Sequence, residues 1–254
     1  MRHNFVPALL LVFTMFGPQA CFSATFGLNP SLDAFVTTGP SGNLSGNNYG
    51  GAGALGISAP GLAQGEFQSV LQFNLSAART SFDSQFGVGL WSIQSVVLQL
   101  TATSPNNAIF NSSAAGQFSI SWMQNDGWTE GTGTPAAPTT TGITFGTLSN
   151  FVSAADEPLG TFSFNGATSG SFTCTLNLAP SFAADILAGS TASLRMFAAD
   201  ATVSYLSDSR SFGTASARPL LTITAVPEPA TICFLLLGFS AFAFRRPGAR
   251  NIVH

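Results

Sequence analysis

Asp126, Trp128 and Glu130 stand within five positions of one another and could, together, do chemistry on a sugar. Two carboxylates beside an aromatic ring are the minimal vocabulary of a glycosidase. They sit in a turn around Gly127, however, and nothing in their spacing fixes a separation or raises a pKa. Loop acids beside a glycine are ordinarily solvated turn formers, so catalysis is not expected of them. As a contact set for carbohydrate, Trp128 would stack on a sugar ring while Asp126 and Glu130 bond its hydroxyls. Trp128 flanked by Gly127 and Thr129 has more chance of exposure than Trp91 or Trp122, which alternate with apolar neighbours and read as core. Packing remains the preferred role even for Trp128, because large aromatics are mostly buried. Tyr49 and Tyr205 complete the candidate stacking residues.

Other chemistries lack their parts. The only histidines are His3 and His254, both in terminal segments, so neither a Ser-His-Asp arrangement nor a Cys-His pair can be assembled in the middle of the chain. Of three cysteines, Cys21 and Cys233 lie in those segments as well. Cys174 is left alone, without a disulfide partner or a zinc spacing, and it reads as a small buried apolar residue. Asp200 and Asp208 flank a strand at Val203 to Leu206; they are either a solvated pair or part of a calcium site, which would need six to eight oxygens. Asp156-Glu157 before Pro158 is a turn. Gly50-Gly51-Ala52-Gly53 lacks the strand–loop–helix setting of a phosphate loop. No catalytic residue, metal site or cofactor is therefore expected, and a structural calcium ion has no direct support. An enzyme acting on polysaccharide is a distant alternative.

The elements that must position these residues are strands. Charged residues make up 7% of the chain, against roughly 25% in a typical domain, and Gly, Ser, Thr, Asn and Phe are plentiful. Period-two patterns run through Leu71, Phe73 and Leu75; Val96 to Ala102; Phe118, Ile120 and Trp122; Phe162 and Phe164; Phe172, Cys174, Leu176 and Leu178; Leu194, Met196 and Ala198; and Leu220 to Ala225. A helical turn is expected at Phe182 to Ala188, stopped by Gly189. Residues 37–61 read as loop-rich. The expectation is an all-β fold, an antiparallel β-sandwich (jelly-roll-like) over residues 25–225.

The terminal segments bracket this domain. Arg2 and His3, the apolar run from Ala8 to Phe16, Gly17-Pro18, and small residues up to Ala24 form a signal peptide over residues 1–24, entering the membrane as a signal helix. At the other end Val226-Pro227-Glu228-Pro229-Ala230 precedes an uncharged apolar segment, 231–244, expected to form a hydrophobic helix. Arg245, Arg246 and Arg250 close it. Arginines after an apolar stretch stay on the cytoplasmic side, which leaves the domain outside. The stretch is shorter than the roughly 20 residues that span a bilayer comfortably. Residues 25–225 carry four arginines, no lysine and ten acids, a net charge of about −6. Such a surface excludes nucleic acid as a partner, since counterion release needs a basic face.

The order of parts over 226–250 resembles the PEP-CTERM sorting signal: Pro227-Glu228-Pro229, a hydrophobic helix, then Arg245 and Arg246. The resemblance implies an exosortase in the inner membrane that recognises and removes the tail, after delivery by the secretion machinery and signal peptidase. A permanent anchor would account for the apolar segment and arginines but not for Pro-Glu-Pro. The domain in turn resembles secreted jelly-roll modules called DNRLRE domains over about residues 65–225. The resemblance rests on Phe67 to Leu75, Ile93 to Leu100, the turn Trp128-Thr129-Glu130-Gly131, and the closing Ser209-Arg210-Ser211-Phe212 and Arg218 to Ile223. Asn74, where aspartate is common, and the Gly/Thr/Pro segment 131–147 depart from that pattern. This resemblance implies association with polysaccharide or cell-surface matrix more than catalysis. The resulting expectation is an exported, transiently anchored, non-catalytic surface or matrix protein associated with exopolysaccharide. The alternative is a carbohydrate-binding module with a defined site.

Overall fold

The computed structural model describes residues 22–228. The signal segment up to residue 21 and the apolar tail from residue 229 onward lie outside the described residues, and with them both expected terminal helices. Within 22–228 the chain is a β-sandwich of two antiparallel sheets. The smaller sheet has the order β1 (Ala24–Leu28), β11 (Leu220–Pro227), β5 (Trp91–Thr101), β8 (Ser171–Leu176). The larger runs β10 (Ser204–Asp208), β3 (Ala54–Ser58), β4 (Phe67–Asn74), β9 (Thr191–Ala198), β6 (Gly116–Met123), β7 (Glu157–Phe164). β2 (Leu32–Thr37) pairs with β4 beyond its single contact with β3.

Alternation builds the space between the sheets. Val96, Leu98 and Leu100 of β5, Cys174 and Leu176 of β8, and Leu221, Ile223 and Ala225 of β11 point inward from one side. Leu71, Phe73, Phe118, Ile120, Trp122, Leu194 and Met196 meet them from the other. Two helices close one end of this core. α1 (Ser76–Phe86) contributes Ala78 and Phe82, and α3 (Pro180–Ala188) contributes Phe182 and Ile186. α3 is capped at both ends by distant side chains. Glu157 accepts the Ser181 N–H at its N-terminus (2.9 Å), and Arg79 Nη1 donates to the Ala188 carbonyl at its C-terminus (2.7 Å). Each charge has the sign that the helix dipole favours. Gly189 ends the helix in the left-handed region, at φ +66°.

The larger sheet is also buried on much of its outer face. Trp128, Ile143 and Leu148, the last from the short helix α2 (Phe145–Leu148), lie over Ala34, Val36, Val70 and Met123. Tyr49 and Phe110 pack with Phe35, Phe67 and Leu206 in a further cluster, on the opposite face of β2 and β4 from Val36 and Val70. Asn48 ties this outer layer down. It is fully buried; its Nδ2 donates to the Glu130 (2.6 Å) and Ile143 (2.8 Å) carbonyls, and its Oδ1 accepts the Gly133 (3.1 Å) and Gly50 (3.2 Å) N–H groups. The loops can approach this closely only through glycine. A Cβ on Gly133 would stand 1.9 Å from the Asn48 carbonyl oxygen, and one on Gly131 (φ +75°) 2.2 Å from Asn48 Oδ1.

Several expectations are corrected by this arrangement. The loop-rich stretch 37–61 contains β3, whose ladder partner is β10, late in the chain. Residues 76–86 form a helix that the strand-dominated pattern did not announce. Leu178, expected on the inward face with Cys174 and Leu176, is 38% exposed, because the ladder of β8 ends at Leu176 and the chain turns toward α3. The last strand continues past residue 225 through Val226 and Pro227, so the first part of the Pro-Glu-Pro element belongs to the fold.

Replacing Asn48 by alanine leaves two carbonyls and two N–H groups without their buried partner. We expect a loss of about 3 kcal/mol in unfolding free energy, measured as the shift in urea midpoint of residues 22–228. Asn48→Asp, which turns an acceptor toward the same carbonyls, should be no better.

Candidate functional site

The turn at 126–130 is held in the protein by every one of its three notable residues. Trp128 is 2% exposed, packs in the outer layer, and donates its indole N–H to Ser193 Oγ at 3.0 Å. Glu130 is the acceptor for Arg210: Nε donates to Oε1 at 2.7 Å, and Nη2 pairs with Oε2. The same Oε1 accepts the backbone N–H of Asp33 at 3.1 Å. Asp126 is half-buried, and its backbone carbonyl accepts Gln72 Nε2 at 2.9 Å. Burial raises the Asp126 carboxyl; hydrogen bonding to Ser193 opposes the rise, and the nearby charge of Asp185 adds to it. The structure therefore joins Glu130 to Arg210 and Asp33. Trp91 and Trp122 are buried too, with indole N–H groups on Asp83 (2.8 Å) and Asp185 (2.7 Å), and Tyr49 and Tyr205 lie in the core.

The remaining acids have structural employment. Asp200 accepts the N–H groups of Thr202 (2.9 Å), Val203 (2.9 Å) and Gln117 (2.6 Å), which hold its carboxyl below the usual range together with the Thr202 hydroxyl. Asp156 accepts N–H groups of Gln124 and Ser153. Asp208, on β10, is pushed up to about 6 by burial. Cys174 is buried, and desolvation raises its thiol to about 12, far from a reactive thiolate. Among the described residues no cluster of three or more His, Cys, Asp or Glu side chains is placed to hold a metal ion.

Asp33 was not singled out by its sequence context, where it is one acid in a strand. It is fully buried on β2; its Oδ2 accepts the Arg210 N–H at 2.7 Å, and its Oδ1 has no partner. Burial raises its carboxyl to about 7, against the Arg210 hydrogen bond, with the Glu130 charge adding to the rise and the Arg210 charge opposing it.

One part of the larger sheet's outer face is only half-buried. On β9 the residues between Leu194, Met196 and Ala198 are Arg195 and Phe197, which parity turns outward. Ser119 stands opposite Phe197 and Ser121 opposite Arg195, while Ser119 also pairs across to Thr161. The Ser119 and Thr161 hydroxyls are 2.8 Å apart, and the Arg195 guanidinium lies 4.4 Å over the Phe197 ring. Arg195 Nε donates to Gln68 Oε1 (2.7 Å), and Gln68 Nε2 donates to Glu66 (2.6 Å). A depression of about 280 Å³ beside it is lined by Gln68, Phe145, Leu148, Ser149, Val152 and Arg195. An aromatic face, a guanidinium and a row of hydroxyls on a rigid sheet can stack and hydrogen-bond a saccharide. The alternation at 194–198 carried the signal for this strip, since it places the odd-numbered residues outside.

No known family model matches the chain, and a search of curated proteins finds no significant match.

The Asp33 carboxyl generates a pH prediction. Its folded pKa is above its unfolded value, so the folded state holds the extra proton between about pH 4 and 7. Stability should fall as pH rises through that window and level off above it, by on the order of a few kcal/mol. Urea midpoints of residues 22–228 at pH 5 and 8 should show this decline. Asp33→Asn, which keeps the acceptor for Arg210, should reduce it to the smaller part contributed by Asp208, whose carboxyl burial raises to about 6.

Proposed function

We propose that this chain is an exported surface or extracellular-matrix protein, processed by an exosortase at its tail and associated with exopolysaccharide, without catalysis of its own. The observation that carries the reading is the order Pro227-Glu228-Pro229, apolar 231–244, Arg245-Arg246 directly after the last strand of a β-sandwich. On this reading the signal peptide delivers the chain across the inner membrane and the tail anchors it transiently. Cleavage then releases the domain to the cell surface or beyond. The sandwich is jelly-roll-like in the sense of the DNRLRE resemblance, and no cofactor is called for. Glu228 is exposed at the end of the described residues, and among those residues only its backbone is hydrogen-bonded, its N–H donating to the Leu90 carbonyl at 3.0 Å.

Replacing Glu228 by alanine should thus spare the fold and act on sorting alone. The expected result in the native host is an uncleaved, membrane-retained species, seen as a larger mass in the membrane fraction. An unchanged mature mass would mean that the tail is an ordinary anchor or that the Pro-Glu-Pro motif is coincidental.

A second reading, a carbohydrate-binding module, is favoured by the half-buried strip at Arg195 and Phe197 more than by the buried Trp128. Residues 22–228 should then be retained on at least one of a panel of bacterial and algal polysaccharides, and Phe197→Ala should lose most of that retention. Failure to bind every polysaccharide would leave the matrix role without a defined sugar site.

A further inference from the structure

Exposed apolar side chains are concentrated at one end of the sandwich. Among the described residues the large hydrophobics counted as exposed are Phe22, Val88, Leu90, Leu178 and Leu187. Phe22 falls in the segment that the expected signal removes. Val88 (75% exposed), Leu178 and Leu187 line a single groove of about 410 Å³ between α1, the 87–90 turn and α3, with Ile93 and Ala183 in its wall. Leu90, 41% exposed, is in the same turn. Single exposed apolar residues need no explanation, but a cluster rimmed by polar groups marks an interaction surface. The charges on the rim are nearly balanced. Arg79 pairs with Asp83 at 3.4 Å, which leaves Glu228. The wider domain carries a net charge of about −6.

The chain leaves the fold in this groove. Glu228 lines it, with its N–H on the Leu90 carbonyl, and only Pro229 and Ala230 separate it from the apolar segment beginning at Thr231. Two or three residues reach at most about 10 Å. If 231–244 enters a bilayer, the groove cannot be farther than that from the membrane surface. The groove has the volume of one small ligand, too little to shelter the fourteen residues of that segment itself.

We propose that the end of the sandwich formed by Val88, Leu90, Leu178 and Leu187 docks into the headgroup–acyl boundary of the membrane that the tail enters. The inference rests on reading 231–244 as membrane-inserted. The anchored protein would then stand on its membrane with the long strands pointing away from it, and the tail junction at Glu228 would be held at the lipid surface.

The test uses residues 25–254, the chain without its expected signal segment, reconstituted in phosphatidylcholine vesicles, with tryptophan placed at Val88 (V88W), at Leu187 (L187W), or at exposed Asn106 (N106W) in a loop beyond the other end of β5. Wild-type emission is subtracted. Lipids brominated near the headgroup should quench the emission added at Val88 and Leu187 by about twofold or more, because a docked side chain lies 5–10 Å into the boundary. Emission added at Asn106 should be unaffected. Flotation of the protein with the vesicles, without quenching at either groove position, would overturn the docking and leave the tail reading intact. Groove positions shielded from aqueous iodide but not quenched by bromolipid would show a protein occupant, a second copy or the tail itself, and would likewise overturn it. Failure to float would remove the tail reading and the docking with it.

Discussion

A single buried amide, Asn48, governs how much of this protein is folded rather than merely attached. The larger sheet has apolar residues on both faces, and only one face meets the other sheet. Val36, Val70 and Met123 on the outer face need a cover, which is supplied by segments with almost no regular structure of their own. A loop layer of this kind must satisfy its own backbone groups where they leave water. Asn48 does this for both segments at once, bonding to residues 130, 133 and 143 from its place near the end of the 37–50 stretch. Gln64 does the same at the neighbouring cluster: it is 1% exposed and its Oε1 accepts the N–H groups of Asn111 (3.1 Å) and Ser112 (3.3 Å). A primary amide suits the task because it offers two donors and an acceptor without a charge to desolvate.

The fate of the acids follows from this layer. Asn48 holds the Glu130 carbonyl, and the Glu130 carboxylate in turn meets Arg210 and the Asp33 N–H. The ion pair thus clamps the turn after β10 against β2, beside the loop that Asn48 fixes. Asp33 lies in the same clamp but is deeper, and the arginine's charge is spent on Glu130; its own compensation is a backbone N–H. Burial then outweighs attraction, and the carboxyl is pushed toward its neutral form. The two carboxylates beside Trp128, Asp126 and Glu130, are thereby divided. Glu130 is neutralised by a cation, and Asp126 lies half-buried beside Ser193 and Asp185.

The central strands were legible in the sequence because each has one clean apolar face: β4, β5, β6, β8, β9 and β11 all fall on the period-two runs. β2 and β3 were not. β2 is buried almost throughout, so Leu32 to Thr37 shows no alternation, and β3 holds Gly56 where Phe67 and Phe110 crowd the backbone. α1 was hidden for another reason. Its sequence, Ser76 to Phe86, is mostly polar with two buried residues, Ala78 and Phe82, so tertiary contact with the sheet end rather than local pattern selects the helix. Trp128, for which packing was the preferred role, is indeed buried, although its turn shows no alternation to mark it. Neighbouring glycine and threonine suggest exposure, whereas the glycine-rich segment that follows folds back over the sheet and carries the indole into the outer layer. The half-buried strip was readable only by parity, since Arg195 and Phe197 do not form a motif.

The geometry of β5 links the two ends of the molecule. It runs eleven residues from Trp91, beside the groove, to Thr101, a length of about 35 Å at the usual rise per residue. β11 lies antiparallel beside it and delivers the chain back to the groove, where Pro227 stands opposite Trp91. Tension on an anchored tail would run along the strand direction, with the ladders to β5 and β1 on either side to share it. Because β1 begins at the same end, with Ala24 opposite Ala225, both terminal segments leave from one pole of the sandwich. The loops after β5 and β7 stand at the opposite pole. With a membrane at the tail pole, these loops would project roughly the length of β5 into the surroundings, and the hydroxyl-lined strip on β6, β7 and β9 would face sideways, clear of the lipid. On the proposed reading, one chain direction would separate an anchoring end from the surfaces left free to meet a matrix.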